Sequence, residues 1–159
     1  MNIILEELTA GVPDTTHLVR LTLRLLIAML LGAAVGIQRE WTGKAAGLRT
    51  HMLVAMGAAL FVLVASEAGM SASDLSRIIQ GLATGIGFIG GGAILKLREE
   101  HQIQGLTTAA GIWMTAAIGV AAGLGRLGAA LFSAVLTWLV LSVIGHIERQ
   151  AEKTKDIRH

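Results

Sequence analysis

Five long apolar runs divide this chain, and almost no charge enters them: Leu18–Ile37, Thr50–Ser66, Ile78–Leu95, Leu106–Leu124 and Leu127–Ile147. Of the 24 Asp, Glu, Lys and Arg residues, 22 lie outside the runs, and the two exceptions, Arg20 and Arg24, sit early in the first. Each run has 17 to 21 residues, close to the ~20 that cross a hydrocarbon core as helix. Helices of a soluble bundle keep a charged face toward water, and these runs have none. The pattern predicts an all-α, polytopic transmembrane bundle of five spans. That domain occupies residues 18–147, between a short N-terminal segment (1–17) and a charged cytoplasmic tail (148–159). Only 15% of the residues are charged, against about 25% in soluble domains. The absence of cysteine excludes disulfides, thiol chemistry and thiolate-bound metals.

The N-terminal segment carries Glu6, Glu7 and Asp14 but no basic residue, unlike a secretory signal. Ile3, Ile4, Leu5 and Leu8 suggest a short interfacial helix ended by Gly11 and Pro13, with Asp14 capping the first span. Basic residues set the orientation. Arg39, Lys44, Arg49, Lys96, Arg98 and four in the tail make nine on one side, against four (Arg20, Arg24, Arg77, Arg126) on the other. The positive-inside rule puts the nine in the cytoplasm and the N-terminus outside. Anionic headgroups suffice as partners for this charge, and no nucleic acid is needed.

Aligning Gly47 with Gly105 matches Gly47-Leu48-x-Thr50 to Gly105-Leu106-x-Thr108 and Met56-x-Ala58-Ala59 to Met114-x-Ala116-Ala117. Seven of 19 positions are identical. A parallel repeat of two helix hairpins, followed by a fifth helix, is the implied plan. Glycines spaced by four recur at Gly32/Gly36, Gly81/Gly85, Gly87/Gly91 and Gly119/Gly123, where they allow close helix approach or dimerisation. In the third span, Gly90, Gly91 and Gly92 could instead break the helix and open backbone groups to a polar cavity.

No Asp or Glu lies inside any span, whereas hard divalent cations are held by oxygen ligands that usually include carboxylates. No metal site, cofactor or catalytic constellation emerges, and the chain does not read as an enzyme. The intramembrane polar residues are Arg24, Gln80, Thr84 and Trp113. Arg24 can snorkel to headgroups or pair with Glu67. The Trp113 indole, if buried, can meet Gln80 or Thr84. Trp41 and Trp138 fit interfacial or lipid-facing positions. At the cytoplasmic face the repeat groups Arg39, Glu40, Arg49, Thr50, His51, Thr107 and Thr108. One expectation is an anion site near a helix start. The other is a set of caps (Thr50 for the second span, Thr107 or Thr108 for the fourth) with an Arg39–Glu40 surface pair.

Several of these segments, in order, resemble the MgtC/SapB membrane family. They are Arg24-Leu25-Leu26, Gly36-x-x-Arg39-Glu40, Ala46-Gly47-Leu48-Arg49-Thr50-His51, Arg77-x-x-Gln80, Gly85-Ile86-Gly87-Phe88-Ile89-Gly90-Gly91-Gly92 and Gly105-Leu106-Thr107-Thr108-Ala109-Ala110-Gly111-Ile112-Trp113. The resemblance covers roughly Leu21 to Leu141 and implies a bacterial inner-membrane protein. It implies a link to growth at low magnesium and to virulence, acting as a regulator of other membrane machinery, the rotary ATP synthase included. Two departures stand out. Gln38 occupies a position where the family often has glutamate, and the chain looks like the short form without a C-terminal ACT-like domain. The expected function is a membrane regulator working as a homo-oligomer, a dimer above all, or with a membrane-protein partner such as an ATP synthase subunit. The alternative is a small oligomeric transporter or channel-like unit with its path near Gly90–Gly92.

Overall fold

In the computed structural model, which describes residues 15–96 and 103–145, the chain is an all-α bundle. Helices α1 (Thr15–Trp41), α2 (Leu48–Glu67) and α3 (Ala72–Gly92) come first. Two-residue strands β1 (Leu95–Lys96) and β2 (Ile103–Gln104) then pair antiparallel, followed by α4 (Leu106–Gly123) and α5 (Leu127–Leu139). A π-helical segment, Val140–Ile144, continues α5. The interfacial N-terminal helix, the Asp14 cap, Arg98 and the charged tail lie outside the described residues.

Three helices, α1, α2 and α4, are long and apolar enough on their own to cross a membrane. Apolar residues cover most of the outer surface: Phe61, Phe132, Leu53 and Trp41 are all exposed, as lipid-facing positions require. This is a membrane protein. Its other two spans depart from the apolar-all-round expectation. Helix α3 carries Asp74, Arg77, Gln80 and Thr84 on an exposed side, and the last span is split between 13 α-helical residues and the π segment. The third span also stops at Gly92 rather than Leu95, because residues 95 and 96 are taken into the small ladder.

Small residues decide where the helices meet. At Gly32 and Gly36 of α1 a side chain would run into His51, Ala55 and Leu48 of α2. At Gly119 and Gly123 of α4 it would run into the backbone of Ala55 and Ala59. So α2 lies clamped between α1 and α4 with near backbone-to-backbone contact on both sides, as glycine-spaced packing in membranes allows. The order of these contacts makes α2 and α4 run parallel, each antiparallel to the helix before it: Gly36 meets Leu48 and Gly32 meets Ala55, while Gly90 meets Ala109. That is the arrangement of a parallel repeat of two hairpins. Gly47 and Gly105, the residues aligned in the repeat, each immediately precede a helix.

At the other end of the bundle, Arg24 neither reaches Glu67 nor snorkels out. Its Nη1 donates to the carbonyl of Gly123 at 3.0 Å. The last carbonyls of a helix lack intrahelical partners and carry its negative dipole end, so a guanidinium reached from α1 satisfies them. The tight turn after α4 makes room for it. Gly125 has φ +73°, and a side chain there would strike the guanidinium. Arg24→Met should lower thermal stability in detergent by about 2 kcal/mol, the value of a charge-assisted hydrogen bond with a carbonyl left orphaned. A melting point unchanged from the native protein would show the contact to be dispensable.

Candidate functional site

The glycines that draw α1 onto α2 also carry a charge inward. Gly32, Gly36 and Arg39 recur at i, i+4 and i+7, so they share one face of α1, and the face that packs on α2 delivers Arg39 into the bundle. Arg39 is only 3% exposed. Its Nη2 donates to Oγ1 of Thr108, one turn into α4, at 2.6 Å, and its Nε has no partner.

His51 sits on the third side of this junction, one turn into α2, and is fully enclosed at 0% exposure. Its Cβ packs where a side chain at Gly36 would stand, and its Nε2 lies 3.8 Å from the position a Cβ on Gly111 would take. Both ring nitrogens lack a hydrogen-bond partner. Arg39, His51 and Thr108 therefore close a polar core where α1, α2 and α4 meet, at the end of the bundle where the 42–47 connection joins α1 to α2. Thr108 shares its face of α4 with Gly111 and Thr115, and Thr115 is occupied by a bond to the carbonyl of Gly111 at 2.9 Å.

Gln38 completes the inner end of α1. Its Nε2 donates to the carbonyl of Leu141 at 3.0 Å. Leu141 lies in the π segment, where the wider turn disturbs the usual i to i−4 pairing, and the Gln38 amide supplies a donor there. Gln38 Oε1 has no partner. Sequence reasoning noted Gln38 only as a departure from a family pattern. The signal for its burial was its spacing from Leu31 and Val35, at i−7 and i−3, which places it on the apolar arc of α1 packed among Ala130, Ala134 and Leu141 rather than on the glycine face.

The remaining members of the expected cluster separate from this core. Arg49 and Thr107 are exposed, and Thr50 is half-buried. Neither Thr50 nor Thr107 nor Thr108 caps a helix: Gly47 and Gly105 hold the cap positions of α2 and α4 without a side-chain bond. At Gly105, φ is +94° and the carbonyl of Ala93 occupies the space a side chain would need, so only glycine fits that turn. The expected Arg39–Glu40 surface pair is absent as well. Arg39 turns inward, while exposed Glu40 reaches across the loop so that its Oε2 accepts the Leu48 N–H at 2.8 Å. A carboxylate there suits the positive end of α2. Gly47 permits this approach, since a side chain at that position would overlap the carboxylate.

The intramembrane group is also redistributed. Gln80, Thr84 and Trp113 are all exposed, so the tryptophan is not a buried core residue bonded to them. Instead, Thr84 Oγ1 bonds back to the carbonyl of Gln80 at 2.9 Å, and Gln80 makes a long bond to Ser76 at 3.5 Å. Helix α3 runs unbroken through Gly90 and Gly91 and ends at Gly92, capped at Ala93. Among the described residues, Gly90 alone of its glycines meets a neighbour, Ala109. Gly81, Gly85, Gly87, Gly91 and Gly92 have nothing within 4 Å of where a Cβ would stand.

The buried core offers a guanidinium, an imidazole and a hydroxyl. These are donors suited to anionic oxygens, and a fixed guanidinium charge repels a bare divalent cation. Among the described residues no group of three or more acidic or histidine side chains is placed to hold a metal ion.

Residues 25–150 match the family model described as the MgtC family. Protein SrpB of Synechococcus elongatus is 44% identical over 142 residues, covering 82% of this chain and 78% of SrpB. A protein of Escherichia coli K12 bearing the name "Putative magnesium transporter YhiD" is 46% identical over 129 residues, 76% of this chain and 59% of its own length. Protein MgtC of Salmonella typhimurium is 46% identical over 114 residues, 72% of this chain and 48% of its own. The chain thus spans about half to three fifths of the latter two. No solved structure matches it.

Proposed function

Because this chain belongs to the MgtC family, we propose that it is a regulator in the bacterial inner membrane, serving adaptation to low magnesium by acting on other membrane machinery rather than by carrying the ion. One relative bears magnesium transport in its name, which supports the link to the ion. The observation that carries the regulatory reading is the enclosed Arg39–Thr108 bond beside His51. A buried positive group flanked by unsatisfied nitrogens favours an anionic oxygen group, such as a phosphate, a lipid headgroup or a partner's carboxylate. It opposes a dehydrated Mg2+, which prefers oxygen ligands and its own waters. By the positive-inside rule this end of the bundle faces the cytoplasm and the N-terminus lies outside. Arg39 and His51 are enclosed, so a membrane-protein partner, an ATP synthase subunit being one candidate, would act on them by parting α1, α2 and α4.

A small oligomeric transport unit is the second reading. It is favoured by the two-hairpin arrangement, since transporter sites often lie between repeats, and by the open glycine face of α3. Purified protein in proteoliposomes separates the two. The regulator predicts no Mg2+ flux above that of protein-free vesicles. Saturable flux that disappears in Gly91→Leu would overturn it in favour of transport.

A further inference from the structure

Helix α3 is built the wrong way round for a lone helix at the edge of a membrane protein. Leu75, Ile79, Leu82 and Ile86, spaced as i, i+4, i+7 and i+11, turn inward and are half-buried or buried, with Leu82 and Ile86 packing among α2 and α4 residues. The opposite arc holds Arg77, Gln80, Thr84 and five glycines with open space beside them. From its centre projects Phe88, 87% exposed, the most exposed large apolar side chain among the described residues. Elsewhere in this molecule four-spaced glycines serve as contact points: Gly32/Gly36 and Gly119/Gly123 are both filled by α2. Among the described residues, nothing fills the pairs on α3.

We infer that the outward face of α3 is the contact surface for a second copy of this chain, in a parallel two-fold dimer whose axis runs along the membrane normal. Charge complementarity selects a second copy over another occupant. Copies inserted in the same orientation bring equivalent residues to the same depth, and a two-fold contact is reciprocal. Asp74 and Arg77 lie three residues apart on the exposed arc, about 4.5 Å along the axis, so each can face the other's counterpart across the dyad. Asp74 is held in place by Ser71, whose Oγ–H donates to Oδ2 at 2.6 Å. Arg77 makes no hydrogen bond or ion pair among the described residues and is free for a partner. Deeper in the membrane the shape is self-complementary too, because the Phe88 ring stands between flat glycine notches that an identical ring can enter. Lipid covering this face would leave backbone and the Gln80 amide against hydrocarbon, a cost that helix association removes. This inference does not depend on the regulatory reading.

The chain has no cysteine, so single-cysteine variants of the full chain can be oxidised in native membranes. Disulfide dimers are expected for Thr84→Cys and Phe88→Cys. None are expected for Ile79→Cys on the inward arc, or for Phe132→Cys, which is exposed on α5. Adding Gly85→Leu should reduce the Thr84→Cys dimer about ten-fold, as loss of a close glycine contact would. Since nothing lies within 4 Å of Gly85 in the monomer, that variant should still purify folded with an unchanged melting point. Arg77→Glu should weaken the dimer in the same assay. Equal cross-linking at Phe132→Cys, a dimer indifferent to Gly85→Leu, or cross-links only to a different protein would each overturn the inference.

Discussion

Replacing Gly119 with alanine should cost about 3 kcal/mol or more of stability, at the upper end of what one added methyl does in a packed interior. The new Cβ would be driven into the carbonyl of Ala55, and a backbone atom of a hydrogen-bonded helix cannot rotate away as a side-chain tip can. Retreat of α2 is blocked from behind, because Gly32 of α1 already presses on the same Ala55 and on His51. The collision is therefore relieved only by parting α2 from α4, which would open the whole three-helix crossing. Gly85→Ala is the matched comparison. The same methyl on α3 meets nothing within 4 Å, and alanine is the better helix former by up to about 1 kcal/mol, so this variant should melt at or above the native temperature. Thermal unfolding of both proteins in one detergent checks the pair. Equal melting points would mean that the α2–α4 crossing is not the backbone contact described above.

Arg39→Met and His51→Leu should give the opposite dissociation: folded protein retained, function lost. Each substitution replaces a buried polar group with an apolar one of similar size. In doing so it removes nitrogens that have no partner, namely Arg39 Nε and both ring nitrogens of His51. Removing unsatisfied buried donors and an uncompensated buried charge is neutral or stabilising by about 1–2 kcal/mol. The Thr108 hydroxyl loses its donor in Arg39→Met, and as the third residue of α4 it has no helical carbonyl four residues back, so that one lost bond offsets part of the gain. Growth of a low-magnesium-sensitive strain lacking its own family member, rescued by the native chain, is the functional measurement. The melting temperature is the structural one. Rescue lost with the melting temperature kept supports an anion-recognising site. Full rescue by both variants would reduce the core to packing.

What could be read without coordinates followed from hydropathy and from the spacing of small residues. A bilayer forces each long apolar run into helix, so the all-α class and the hairpin plan come directly from the positions of charge. The glycine pairs at 32/36 and 119/123 likewise announce helix crossings. The same rule misleads on α3, because spacing says that a helix can be approached closely and not that a neighbour is present within the chain. Arg24 illustrates a second limit. Charge and depth pointed to headgroups or Glu67, yet its partner is a backbone carbonyl 99 residues away, and main-chain acceptors leave no trace in residue identity.

The candidate site divides along the same line. Sequence alone determined the lipid-solvated bundle, the membership of the family, and the grouping of Arg39, His51 and Thr108 at one end, since helix direction and turn length are local properties. Tertiary structure decided which of them are enclosed. Arg39 and Arg49 are chemically equivalent and ten residues apart, but one lies on the glycine-lined face pressed into α2 and the other faces outward. Burial belongs to the rotation of each helix about its own axis. That rotation is fixed only when three helices pack together, so no single stretch of sequence contains it.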